Sequence, residues 1–442
     1  MPPPSTREIW NISWPIMISL LAQNIVNVTD TAFLGRVGEV ELGASAIGGL
    51  LYTTLFMVSF GFTTGVQILI ARRNGERNYL AIGRIFDNSF YFLTFISIVI
   101  TLMVFFFGPA LLKPFLASEA VFKASSTFLT YRILGLFFAS SGFLFRSFYT
   151  GIAFTKYLSI SSVILAVTNF VLEYAMIFGH FGFPAMGIKG AGIASVIAEV
   201  CALIFLVLIT WRNDRLNQYV LFKFVKPDFK IVKSTLEISV FVMMQYVLSL
   251  GSWFVFFMFI EKIGQRPLAV SNIIRSLYLL IMIPGWALCS VTNTLVSNAL
   301  GKKMPELVIP VIKKVMKFSM VLMTIVITFA AFLPRQAISV YTNDLTLIEA
   351  TVPSFYIILG ALFIFALMSI LFNAVLGTAN TNYGFGIEVI TLVFYLSFAW
   401  LTAVKLQLRI EYVWTAEYVY GISIGILSFW YLRKGNWRQK VI

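Results

Sequence analysis

The feature that most constrains this chain is the recurrence of long apolar runs, such as IVITLMVFFFGPALL (98–112) and CALIFLVLITW (201–211). A helix needs about 20 mostly apolar residues to cross roughly 30 Å of hydrocarbon, and segment after segment meets that requirement. Of the 442 residues, 59% are hydrophobic and 12% charged, too little polar surface to cover a water-soluble core of that length. The 44 phenylalanines do not follow the alternation of a membrane β-barrel, which leaves helices as the spanning solution.

Reading the runs between charged or Gly/Pro-rich breaks predicts twelve spans, near 8–34, 43–70, 86–112, 126–149, 157–179, 187–211, 235–260, 267–299, 312–333, 353–376, 384–404 and 411–432. No small-residue cleavage site follows MPPPSTRE, so the first span is expected to remain. The formal charge of +14 sits in alternate loops rather than on one face, which argues against nucleic acid as a partner. Arg72, Arg73, Arg77 and Arg84 share a side with Arg212, Arg215, Lys223, Lys230 and Lys233 and with Lys302, Lys303, Lys313, Lys314 and Lys317. The opposite loops hold far fewer, among them Lys113, Lys123, Lys189 and Lys262. Positive charge marks the cytoplasmic side, so both termini are expected to be cytoplasmic in a cell inner membrane.

Sliding the chain by 226 residues, Gly38 onto Gly264, also brings Leu42 onto Leu268, Ser45 onto Ser271 and Gly75 onto Gly301. The same offset lays YTGIAFTKY (149–157) on VLGTANTNY (375–383). A shift of six spans preserves orientation, so the halves form parallel repeats, an architecture that in transporters places substrate near the repeat interface. The expected organisation is an N-terminal six-helix lobe (1–211), a basic cytoplasmic linker (212–234) and a C-terminal six-helix lobe (235–442). Two complete repeats in one chain make a monomer sufficient.

Ionisable groups inside a span are costly and usually functional. Gln23, Asn27 and Asp30 fall at i, i+4 and i+7 of the first span and form a polar stripe on one face. Pro15 lies 15 residues before Asp30, roughly 22 Å along a helix axis, and removes a hydrogen bond where a bend can form. In the fifth span Asn169 and Glu173 are one turn apart, with Glu173 roughly 24 Å from the cytoplasmic end. Ser195 in the sixth lies roughly 12 Å from the outer face. Two carboxylates, an amide and a hydroxyl can therefore meet in the outer half of the N-terminal lobe. Oxygen ligands suit a hard cation such as Na+, and paired acids equally suit a proton. Glu199, Gln245 and Glu388 are polar positions better suited to interhelical hydrogen bonds. Arg132 and Arg275 can pair with acids or line a cavity. His180 has no second His or Cys nearby, and Cys201 and Cys289 read as inert buried thiols, so no metal is expected beyond Na+ at the coupling site.

VTDTAFLGRVG (28–38), RSFYTGIAFTKY (146–157), NFVLEYAMIFG (169–179), GIKGAGIAS (187–195) and IPGWALCSVTNTLVSNALG (283–301) together resemble the motifs of the MATE (multidrug and toxic compound extrusion) transporters, over nearly the whole chain. The resemblance implies an all-α polytopic protein with two six-helix lobes in a V. It would export organic cations and other amphiphiles by antiport with H+ or Na+, with no cofactor. It also implies that Asp30, Asn169, Glu173 and Ser195 hold the coupling cation and that Pro15 bends the first helix. Gln23, Asn27, Tyr131, Gln245 and Arg275 are candidates to line the cavity. Glu stands at 173 where Asp is usual, and Ser at 195 where Thr is common. The seventh span offers only Gln245 in its interior and the tenth has no acid, which favours the branch coupled through its N-lobe (DinF-like). The alternatives are a flippase for lipid-linked oligosaccharide or a related lipid, which would line its cavity with several arginines, and an integral membrane enzyme, for which no nucleophile or acid–base constellation is present.

Overall fold

The computed structural model describes residues 3–116, 118–224 and 226–439. The expected lobes and linker also include residues 1, 2, 117, 225 and 440–442, which lie outside the described residues. Among the described residues all regular structure is helical, with no strand. In chain order the helices are α1 (Thr6–Val37), α2 (Glu39–Gly75), α3 (Tyr79–Leu112), α4 (Glu119–Arg132), α5 (Leu136–Gly151), α6 (Lys156–Phe178), α7 (Ile188–Arg212) and α8 (Phe229–Glu261). There follow α9 (Gln265–Ile281), α10 (Ile283–Gly301), α11 (Val308–Phe332), α12 (Pro334–Ser339), α13 (Leu345–Gly377), α14 (Thr381–Trp400), α15 (Ile410–Val413) and α16 (Ala416–Lys434).

Ten of these elements are long and apolar enough to cross a membrane, taking α4 and α5 together as one, and α9 with α10 forms an eleventh span bent by 47°. Each predicted span has a helical counterpart, but the details differ. Helices α2, α3 and α13 overshoot their apolar runs, because polar residues extend them beyond the hydrocarbon. Asn78 caps α3 by accepting from the Ala81 N–H, and Asp344 caps α13 by accepting from Thr346 and Leu347, filling donors that a helix start leaves open. The Thr346 bonds hold the Asp344 carboxyl below its usual range. At the head of α1, Ser5 and Glu8 form a reciprocal capping box, with the Glu8 N–H donating to Ser5 Oγ and the Ser5 N–H to Glu8 Oε2. The predicted span 126–149 is interrupted by a 3-10 turn at Ile133–Gly135. Span 267–299 breaks at Met282, just before Pro284, which has no N–H to continue a helix.

The offset of 226 residues is visible in the backbone. Arg77 and Lys303 both adopt left-handed conformations, at φ 57° and 59°, as do Ala153 and Ala379 at 59° and 63°. The hydrogen bonds match too: Asn78 N–H to Arg73 O at 2.9 Å corresponds to Met304 N–H to Ala299 O at 3.1 Å. The broken helix Glu119–Gly151 falls, residue for residue, on α13, Leu345–Gly377.

Two compact units divide the chain, one comprising Trp14–Ser239 and the other Met1–Ser13 with Val240–Ile442. In the first, the basic segment after α7 packs along α3. The Phe222 N–H donates to Asp87 at 3.3 Å, the Asp228 N–H to Asn88 at 2.6 Å, and the Phe222 ring lies edge-on to Phe86. The second is cored by Phe256, Tyr278, Phe355, Tyr395 and Trp414.

Candidate functional site

The first unit contains a buried polar cluster where α1, α6 and α7 meet. Helices α6 and α7 approach closely because position 190 is glycine: a Cβ there would stand 2.7 Å from the Met176 carbonyl oxygen. Gly179, at φ +79°, ends α6 in the left-handed conformation that glycine adopts without steric cost. The chain then turns back so that the Met186 N–H bonds Met176 O at 2.8 Å. Phe33, Leu34, Phe128, Ile177 and Ile188 pack around this junction.

This packing brings four of the predicted residues together. Asn169 Nδ2 donates to Glu173 Oε1 at 3.0 Å and to Ser195 Oγ at 3.3 Å. Asn169, Glu173 and Ser195 are buried, Glu173 completely. The Asp30 carboxyl lies beside Glu173 and Asn169. Asp30 Oδ1, Asn169 Oδ1 and Glu173 Oε2 are shut off from solvent and have no hydrogen-bond donor. All three are acceptors, and a buried acceptor without a donor is unfavourable. The cluster thus presents more buried acceptors than donors.

The neighbouring charges deepen that deficit. Arg132 grips Glu199 through two bonds, Nη2 to Oε1 at 2.6 Å and Nη1 to Oε2 at 3.2 Å, and its guanidinium lies 3.9 Å from the Tyr52 ring centroid. Arg132 reaches Asp30 and Glu173 electrostatically as well. Three carboxyls around one guanidinium leave an excess of negative charge, with Arg132 already matched by Glu199.

The other predicted residues lie elsewhere. Gln23 and Asn27 are exposed on α1, so of the stripe only Asp30 joins the cluster. Pro15 is buried inside a helix that continues through it, and its carbonyl accepts from Ser19 Oγ at 2.9 Å. Tyr131 is covered by the Lys189 ammonium, 4.8 Å from its ring centroid. Arg275 is exposed and lies over Phe257. Gln245 is buried in the second unit, as is Glu388, which accepts from Ser249 and Tyr420. His180 stacks on Tyr174. No group of three or more His, Cys, Asp or Glu side chains is placed to hold a metal among the described residues. Tyr52 at the Arg132–Glu199 pair, and Glu417 and Tyr420 in the second unit, were not singled out from sequence; the signal that finds Tyr52 is its repeat partner, Tyr278.

The MatE family model matches residues 15–175 and again 242–401, once in each half. The chain belongs to the MATE family. Among its curated relatives, a probable multidrug resistance protein NorM of Thermotoga maritima is 24% identical over 447 aligned positions, covering 100% of this chain and 95% of that one. The NorM of Agrobacterium fabrum is 25% identical over 53% of this chain, and the match spans about half, 51%, of that relative's length. Among solved structures, a MATE transporter of Vibrio cholerae, VcmN, superposes with TM-score 0.89 at 14% identity over 98% of both chains. A MOP superfamily transporter from Pyrococcus furiosus superposes with TM-score 0.88 at 17% identity, over 97% of this chain and 95% of that one. This MATE chain is thus a multi-pass, all-helical membrane protein with the MATE fold.

Proposed function

We propose that this MATE chain is a secondary active transporter that exports drugs or other organic cations and amphiphiles by antiport with H+ or Na+. The observation that carries the reading is the set of bare acceptor oxygens on Asp30, Asn169 and Glu173, buried beside a guanidinium that Glu199 already neutralises. Such a site gains stability when a cation or proton enters it. The relatives' names as multidrug resistance proteins support the same reading. The proposed lobes are 1–211 and 235–442, joined by 212–234, in a cell inner membrane with both termini cytoplasmic and the monomer as the working unit. The cation site lies wholly in the N-terminal lobe, as in the DinF-like branch. Membership of a transporter family sets the enzyme alternative aside.

The mechanism follows from linkage. An ion shifts a conformational equilibrium only through its different affinity for the two states, so ion and drug must favour opposite ones. Entry of the ion between Asp30 and Glu173 relieves their repulsion and draws α1 onto α6. With Pro15 lacking the N–H that would bond Asn11 O, the lower part of α1 can change direction while the part bearing Asp30 stays docked. Gln23 and Asn27, which lie between Pro15 and Asp30, stay with the docked part.

The test is ethidium efflux from energised vesicles under separate proton and sodium gradients, comparing wild type with Asp30→Asn. Gradient-driven efflux in wild type, lost in the variant, is expected, and the effective gradient names the ion. Full efflux by Asp30→Asn at equal expression would overturn the assignment of this cluster. Absence of dye movement in wild type under either gradient would turn attention to the lipid flippase.

A further inference from the structure

Two buried acids of the second unit stand without an ion-pair partner among the described residues. Glu388 on α14 is completely buried and Glu417 on α16 is 2% exposed. They are tied crosswise. Glu388 Oε1 accepts from Tyr420 OH of α16 at 2.9 Å and from Ser249 Oγ of α8 at 2.7 Å. Glu417 Oε1 accepts from Tyr395 OH of α14 at 3.1 Å. The Tyr395 and Tyr420 rings meet edge-on at 5.7 Å.

Glu388 is the group this arrangement leaves incomplete. Oε1 is filled by two hydroxyl donors, while Oε2 is buried and bonded to nothing. Gln245, 7% exposed, also presents a buried Oε1 without a donor. It stands one turn before Ser249, on the face of α8 that reaches Glu388. Thr391, three residues after Glu388 on α14, has an unpartnered buried hydroxyl as well. The titratable group in contact with Glu388 is Tyr420, which in turn neighbours Tyr278, Glu417 and the Tyr395 ring, and none of these brings a positive charge. A charge isolated in low dielectric is far costlier than a neutral acid with the same hydrogen bonds.

The repeat shows that this is not a copy of the first cluster. Adding 226 to Asp30, Asn169, Glu173 and Ser195 lands on Phe256, Tyr395, Ala399 and Gly421, an aromatic and small-residue site where the Phe256 and Tyr395 rings lie 5.5 Å apart. Glu388 maps onto Ser162, so the acid is a feature of the second unit alone.

We infer that the second unit holds its own proton-binding site on Glu388, with Ser249 and Tyr420 fixing one carboxyl oxygen and the other left to carry the proton. A proton suits the geometry better than a metal cation, which needs several oxygens free to converge; here the carboxyl's other oxygen already accepts two hydrogens.

The test is infrared titration of the purified full-length protein from acidic to alkaline buffer. A carboxylic-acid C=O band that titrates reversibly is expected, lost in Glu388→Gln, kept in Asp30→Asn and Glu417→Gln, and unmoved when Na+ replaces K+. Glu388→Asp keeps the acid and is expected to shift the band, which covers a glutamine variant that does not fold. A titrating band from which Glu388→Gln removes no component, or whose Glu388 component also vanishes with Glu417→Gln or is suppressed by Na+, would overturn the inference. The readout needs no transport, so a wild type that moves no dye would sink the exporter reading and leave this site standing.

Discussion

At the scale of single residues, the Arg132–Glu199 pair has the clearest energetic consequence. Its side chains are 16% and 10% exposed, so removing one partner strands a charge away from water. Arg132→Met is expected to lower stability by about 3–5 kcal/mol, read as a fall in thermal midpoint in detergent. The double variant Arg132→Met, Glu199→Leu should recover most of the loss, because a buried pair replaced whole by apolar groups is often neutral. Asp30, Asn169, Glu173 and Ser195 were legible in sequence, since helical spacing alone puts Asn169 and Glu173 on one face and span depth brings Asp30 and Ser195 to the same level. Arg132 and Glu199 were each legible as anomalies but not as a pair. They lie 67 residues apart, and no local periodicity links them.

At the scale of helices, the contact between α6 and α7 holds the cluster together. Asn169 bonds Glu173 within its own helix but needs α7 for Ser195. Gly190→Ala adds a methyl group that must displace α7 from the Met176 backbone, at a cost of about 1–3 kcal/mol. The expected result is a folded protein with the Asn169–Ser195 bond broken and weakened dependence of efflux on its ion gradient. Gly142→Ala, with no neighbour within 4 Å of the new Cβ, should behave as wild type; equal behaviour of the two variants would refute this role for Gly190. Helix number and order were legible because apolar length is a coarse, robust signal. The break at Met282 and the turn at Ile133–Gly135 were not, because both occur inside continuous apolar stretches where hydropathy does not register a change of direction.

At the scale of the whole molecule, the parallel repeat makes a topological prediction. Positions 226 residues apart face the same side of the membrane, so single cysteines at Arg77 and Lys303 should react with a membrane-impermeant maleimide from one side. A cysteine at Phe183, between α6 and α7, should react from the other. Labelling of Arg77→Cys and Lys303→Cys from opposite sides would refute the parallel arrangement. The offset was legible because matching glycines and small residues mark it; the strapping of Phe222 and Asp228 onto α3 was not, since the polar, basic composition of the connector reads equally well as a free one.

The shared left-handed turns at Arg77 and Lys303 and at Ala153 and Ala379 also bear on history. A single half-length ancestor, doubled end to end, would have possessed the same chemistry twice. Since then the spacing of those turns has stayed equal in both descendants, while Asp30 and Asn169 in one stand against Phe256 and Tyr395 in the other, and Glu173 against Ala399. Change was free to rewrite side chains and was held from altering the count of residues between turns. The chemical difference between the halves is therefore younger than the scaffold that carries it.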